Sequence, residues 1–371
     1  MIRGANIPLY AMSPSGHMTN VDDIERALDT LLEAGANAVA WNPPHYMFVR
    51  EGEAILDRPS WEHGLDESDV IWEDVGQTKE RFARTPSPDL VEAAVEQSHM
   101  RAMLTAIKPL VDPRWHPDGY PGGWRGDVSM KGTDVAGIEY NLQAQWHRAY
   151  KRLLDRYIGM LGGGDICMMG TEFVQATRDF GPQWVASMAR YLRTNHSPTP
   201  YLTYDANWGP CHDAEYWYLH ESDVWKDLAY TCVSAYFPLV LDTEPPSPPI
   251  DAIRAGWHRG ASPEPWCLTP VAALSEAASG IPAERLLFGE IGYRADEWAA
   301  HNNPGEDPKG KFDQALQARC WQAFREEWDG NIAGWFAWSW AMYPEYTDPR
   351  AHALNLPGRE ETARWALSEA P

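Results

Sequence analysis

Short apolar runs alternate with longer helical ones along almost the whole chain, and this rhythm constrains the fold more than any single motif. Strand-like runs occupy residues 2–7, 36–42, 102–112, 165–173, 201–208, 230–239, 285–293 and 332–340. Helical patterns occupy 20–35, 87–100, 139–160, 181–195, 213–222, 270–280, 313–328 and 359–369. Local chemistry supports these boundaries. Asn20 is placed to cap the first helix, apolar residues recur at 24, 27, 28, 31 and 32, and Gly35 ends it. Ser87 caps the second, with Pro88 in its first turn.

Strands separated by helices pair in parallel through right-handed crossovers. Eight such units in 371 residues predict an α/β protein, a single (β/α)8 TIM barrel spanning residues 1–371. An open doubly wound sheet is the competing arrangement. It lacks support, because neither GxGxxG nor GxxxxGK[ST] follows the first strand. The segment at about 43–85 is a long connection between the second strand and the second helix. The Pro-rich stretch "DTEPPSPP" at 242–249 reads as a surface loop within the same domain.

Charge excludes some partners. A formal net charge of -22 is the opposite of the basic stripe that nucleic acid or an anionic membrane surface requires. No run of 18 apolar residues occurs, and the N-terminus lacks a basic region leading into an apolar segment. Cys167, Cys211, Cys232, Cys267 and Cys320 are scattered without CxxC spacing. Free thiols, a reducing compartment and a cytoplasmic location are the expectation. No cofactor or metal is expected.

Tryptophan is the compositional outlier, with 19 in the chain. Many lie beside glycine and polar residues at segment ends, as in "NWGP", "GGWRGD" and "WSWAM". Aromatic platforms at loop mouths suit sugars, whose C–H faces stack on rings.

Barrel sites lie at the C-terminal ends of the strands. Two carboxylates stand there, Glu172 on the fourth strand and Glu290 on the seventh. A carboxylate pair across the mouth, walled by aromatics, is what glycosidic cleavage needs. One acid must stay protonated for the leaving oxygen, and the other must stay ionised, so their surroundings must differ. Tyr236 is placed to hydrogen-bond Glu290, and Trp208 to give Glu172 an apolar wall. Glycine brackets the second acid in "FGEIG", leaving room for something, here a sugar ring, to approach. Lys108 stands out because an unpaired buried lysine is costly, so it pairs with an acid or touches ligand.

The pieces "TPSPDL", "IKPLVD", "WRGD", "QWHRAY", "MGTEF", "LTYDANW", "SAYFPL", "LFGEIGYR" and "WFAWSW" run in order over residues 85–340. In this the chain resembles glycoside hydrolase family 113, β-mannanase-like retaining (β/α)8 enzymes with acids on strands four and seven. The resemblance implies Glu172 as acid/base and Glu290 as nucleophile. It also implies an oligosaccharide or polysaccharide substrate, most simply β-mannan, with Lys108, Trp124, Arg125, Asn207 and Tyr236 as sugar contacts. Trp208, Trp338 and Trp340 complete the expected aromatic wall. The 43–84 loop and the tail "YPEYTDPRAHALNLPGRE" depart from the family pattern, and Thr171 stands before the acid.

Two other readings fit parts of the chain. One is a non-catalytic carbohydrate-binding or phage-tail-like barrel module, which would not need both acids and the aromatic walls. The other is a metal-dependent hydrolase using His212, Asp213 and His220, whose spacing matches no common ligand motif.

Overall fold

A computed structural model describes residues 1–11, 13, 15–50, 53–56, 85–113, 125–127, 129–133, 139–208, 215–240, 243–258, 282–301 and 310–369. Eight parallel strands close into a barrel in the order expected from the sequence rhythm. They are β1 (Ile2–Pro8), β2 (Ala38–Asn42), β3 (Leu104–Ile107), β4 (Ile166–Thr171), β5 (Tyr201–Asn207), β6 (Thr231–Ser234), β7 (Leu286–Ile291) and β8 (Gly334–Ala337). The barrel is sealed by the β1–β8 pairing, with Ile2 opposite Gly334 and Ala5 opposite Ala337.

Helices surround it. The first, α1 (Val21–Glu33), opens with a reciprocal cap: Asp23 N–H donates to the Asn20 side chain, and Asn20 N–H donates to the Asp23 carboxylate. The helix Pro88–Met100 starts on the Ser87 hydroxyl, as the sequence predicted. The helices Val174–Phe180 and Ile250–His258 were not expected. The helix expected at 270–280 lies outside the described residues. No helix among the described residues is long and apolar enough to cross a membrane.

Alternation along the strands divides the core in two. Ile2, Ala38, Ala40, Ala106, Ile166, Met168, Cys232, Leu287 and Phe336 fill the barrel interior. A larger cluster, rich in tryptophan, fills the layer between sheet and helices. Trp335 belongs to that outer layer: its indole N–H donates to Ala366 O, 3.0 Å, on the C-terminal helix Glu360–Leu367. Higher in the barrel the inward positions turn polar and are filled by Asn6, Lys108 and Asp205, all buried.

Two expectations are corrected. The strand expected over 102–112 is two strands. Leu104–Ile107 stays in the barrel, whereas Leu110–Pro113 leaves it to pair in parallel with Pro44–Arg50. Pro109 between them has no N–H to continue the ladder. The start of the 43–84 connection is likewise not irregular, because Pro44–Arg50 and Glu53–Leu56 pair antiparallel. Its remainder, including Trp61 and Trp72, lies outside the described residues.

Candidate active site

Both acids are delivered to the C-terminal mouth of the barrel. Inward-facing Ile166 and Met168 set the phase of β4, but its register with β5 shifts between Met168 and Thr171, so alternation alone does not aim Glu172, which lies just past the strand. Glu172 has φ +54°, in the left-handed region. For a residue with a side chain this costs about 1–3 kcal/mol, and such strain concentrates at functional sites. On β7 strict alternation from inward-facing Leu287 would aim Gly289 inward and Glu290 outward. The register shifts against both neighbours here, between Val233 and Ser234 and between Phe288 and Ile291. Such irregularities re-aim side chains, and Glu290 reaches the mouth.

Glu290 is 4% exposed and held from two sides. Lys108 Nζ donates to Oε1 at 2.5 Å, and Tyr236 Oη donates to Oε2 at 2.8 Å, the contact expected from the sequence. Lys108, itself fully buried, also pairs with Asp205 Oδ2 at 2.5 Å. Burial alone would raise the Glu290 carboxyl. The cationic charges of Lys108 and Arg125 and the two hydrogen bonds outweigh it, leaving Glu290 below the ordinary glutamate value.

Glu172 has a weaker set of partners. Asn207 Nδ2 donates to Oε1 at 3.0 Å, and Arg125 Nη1 lies 3.9 Å from Oε2. Arg125 also approaches Asp112, Nε to Oδ1 3.6 Å. Burial dominates here, and the negative charge of Glu290 adds to it. Against the opposing pull of Arg125 and Asn207, Glu172 is pushed up to about 7. The two carboxyls in one mouth are therefore driven in opposite directions, Glu172 toward its protonated form and Glu290 toward its anion. That is the division between a proton donor and an anion.

No protein-family model and no curated protein matches the chain. Solved structures do. A GH113 β-1,4-mannanase aligns over 100% of both chains, with a TM-score of 0.67 and 13% identity. The GH113 β-mannanase AaManA from Alicyclobacillus acidocaldarius, solved with ManMIm, aligns over 99% of this chain and 97% of its own, with a TM-score of 0.65 and 17% identity. The fold is that of the GH113 β-mannanases. A GH5_18 protein from Streptomyces cattleya, solved with GlcNAc, is more distant, with a TM-score of 0.51, 11% identity, and coverage of 100% of this chain and 82% of its own.

On this GH113-type barrel the expected site residues separate. Glu172, Glu290, Arg125, Asn207 and Tyr236 come together. Lys108 joins them by the acid pairing expected of a buried lysine, sealed beneath Glu290 and Asp205 rather than exposed as the sugar contact that the resemblance implied. Trp338 is half-buried, its ring centroid 6.0 Å from Lys108 Nζ. Trp208 is buried with its ring edge-on to Phe237, centroids 5.7 Å apart. Trp340 turns away from the mouth: it is buried, and its indole N–H donates to Thr30 on α1 at 3.3 Å. Trp124, His212 and Asp213 lie outside the described residues.

The glycines around Glu290 have other occupants than a sugar. A Cβ at Gly289 would sit 2.5 Å from the Asp205 carboxylate, and one at Gly292 would sit 2.2 Å from Trp338 O. Two acids were absent from the expected site. Asp205 stands two residues before Asn207 on β5, so their inward spacing was readable. Glu215 carries no such pattern. It is buried and accepts hydrogen bonds from Tyr204 Oη at 2.5 Å, Thr177 Oγ1 at 3.0 Å and Asn207 N–H at 3.0 Å, fixing the strand end that carries Asn207.

Proposed function

We propose that the protein is a retaining glycoside hydrolase that cleaves β-linked oligo- or polysaccharide. The observation that carries this reading is the pair of buried carboxyls whose surroundings drive them apart, Glu172 toward its neutral form and Glu290 toward its anion. In the first step a Glu290 oxygen attacks the anomeric carbon. The bond to the leaving oxygen breaks, and that oxygen takes the proton of Glu172. In the second step Glu172, now a carboxylate, takes a proton from water as the water oxygen displaces Glu290. Asn207 and Arg125 steady Glu172 as it gains charge. A non-catalytic module would have no use for a strained, buried proton donor beside an ion-paired carboxylate.

The substrate follows from likeness alone: two of the similar folds are β-1,4-mannanase or β-mannanase structures. β-1,4-Manno-oligosaccharides are therefore the first substrates to offer, alongside aryl β-mannosides, β-glucosides and β-galactosides. Turnover of manno-oligosaccharides with the β-anomer released first, read by proton NMR, is the expected result. Initial release of the α-anomer would overturn retention, and inertness toward every glycoside would overturn the hydrolase reading.

The pH profile follows from the same pair. Activity requires Glu172 protonated, so kcat/KM will fall as pH rises through about 7. It also requires Glu290 ionised, so the acid limb will lie below the ordinary glutamate value. A profile whose alkaline limb stays level well past pH 7 would contradict the assignment of Glu172.

A further inference from the structure

Asp205 takes no part in these bond changes, yet it is wholly enclosed in the site. It faces Lys108 at 2.5 Å, Ser234 Oγ at 3.2 Å and Cys232 Sγ at 3.6 Å. Gly289, directly before Glu290, is the residue whose missing side chain lets this carboxylate in. Lys108 has no exposure and, among the described residues, two anionic partners, Asp205 and Glu290.

This second partner matters when the charges are followed through the reaction, so the inference rests on Glu290 being the nucleophile. Before attack, Lys108 and Arg125 face ionised Glu290 and Asp205, and Glu172 carries its proton. As the ester forms, the negative charge leaves Glu290 and appears on Glu172, which has released its proton to the leaving oxygen. The sum is unchanged, but the charge has moved from the Lys108 side of the mouth to the Arg125 side. A buried ammonium with one partner would then be left unpaired, which is strongly unfavourable.

We propose that Asp205 is a positioning residue that keeps Lys108 paired when glycosylation consumes the charge on Glu290, and that position 289 is glycine so that Asp205 can reach Lys108. It follows that neutralising Asp205 ties Lys108 wholly to ionised Glu290. The resting nucleophile is then stabilised relative to the glycosyl-enzyme, and glycosylation slows.

The test is Asp205→Asn in the full chain, with an activated aryl β-glycoside and burst kinetics, after circular dichroism shows the variant folded. The glycosylation rate will fall roughly tenfold or more, because a buried cation loses its remaining counter-charge in the intermediate. KM, once corrected for the change in rate-limiting step, will move by no more than about twofold. Among the described residues, the titratable and charged groups facing Glu290 are Lys108, Arg125, Glu172, Asp205 and Tyr236. With Asp205 neutral the cationic side prevails, so the acid limb will shift to lower pH. Adding Lys108→Met removes the orphaned cation. The double variant will therefore glycosylate faster than Asp205→Asn, with an acid limb above that of the wild type. An active wild type matched by Asp205→Asn in rate and limb would overturn this inference and leave the hydrolase reading intact. A loss of rate with an unmoved limb and no recovery in the double variant would also overturn it, as plain structural damage. Should Asp205→Asn fail to fold, the double variant decides: a raised acid limb supports the pairing and an unchanged one contradicts it. A wild type inert on all glycosides would remove both readings.

Discussion

Glu290→Ala will lose turnover by a factor on the order of 10^4 or more, because the covalent route disappears with its nucleophile. The fold will survive, for a reason visible in the site. Removing Glu290 does not orphan Lys108, which keeps Asp205 at 2.5 Å. Added azide will then attack the anomeric carbon of an activated β-glycoside from the vacated side, with Glu172 still able to protonate the leaving group. The product will be the α-glycosyl azide, of inverted configuration. Wild-type activity in this variant, or a retained product, would show that the acid in "FGEIG" is only a strand-end ion pair.

Glu172→Ala will behave differently. Substrates with poor leaving groups, such as oligosaccharides, will slow by about 10^2–10^4, the usual worth of a positioned proton donor. An activated aryl glycoside needs little protonation and will still form the glycosyl-enzyme. Hydrolysis of that intermediate will lag for want of the base, and azide will intercept it to give the β-product. The fall in kcat/KM through about pH 7 will also vanish for the activated substrate, because Glu172 is its source. Persistence of that limb, or equal slowing of good and poor leaving groups, would remove Glu172 from the acid/base role.

Much of the fold was legible because its elements are locally determined. The Asn20 cap, the apolar spacing along α1 and the Ser87–Pro88 start all act within a few residues, and all are present. Pairing across distance was not legible. The run at 102–112 looks like one strand, but it divides at Pro109, which has no N–H for the ladder, and Leu110–Pro113 pairs instead with the distant Pro44–Arg50. The residues Glu139–Asn141 read as the start of a helix, but they pair antiparallel with Lys131–Thr133. Segment 143–160 forms the helix without them.

The site divides along the same line. Glu172 and Glu290 could be found because each is a carboxylate ending an apolar strand with glycine close before it. The partner of Lys108 could not be named, because Lys108 just past β3, Asp205 on β5 and Glu290 on β7 are brought together only by the barrel. Arg125 had nearby Asp127 as a readable partner, but its approach to Asp112 and Glu172 was not readable. Trp340 follows β8 by three residues, past the point where strand alternation predicts direction, and it packs outward on α1. The glycines of "FGEIG" did mark a close approach, but the groups that approach are Asp205 and the Trp338 carbonyl.

Trapping the covalent intermediate tests the central claim most directly. The wild-type protein would be incubated with an activated 2-deoxy-2-fluoro-β-glycoside of whichever sugar it turns over, then digested and mapped by mass spectrometry. One glycosyl group per chain, attached to Glu290, is the predicted result. A label on any other residue would contradict this account, as would a turned-over sugar series that leaves no label while releasing the inverted anomer.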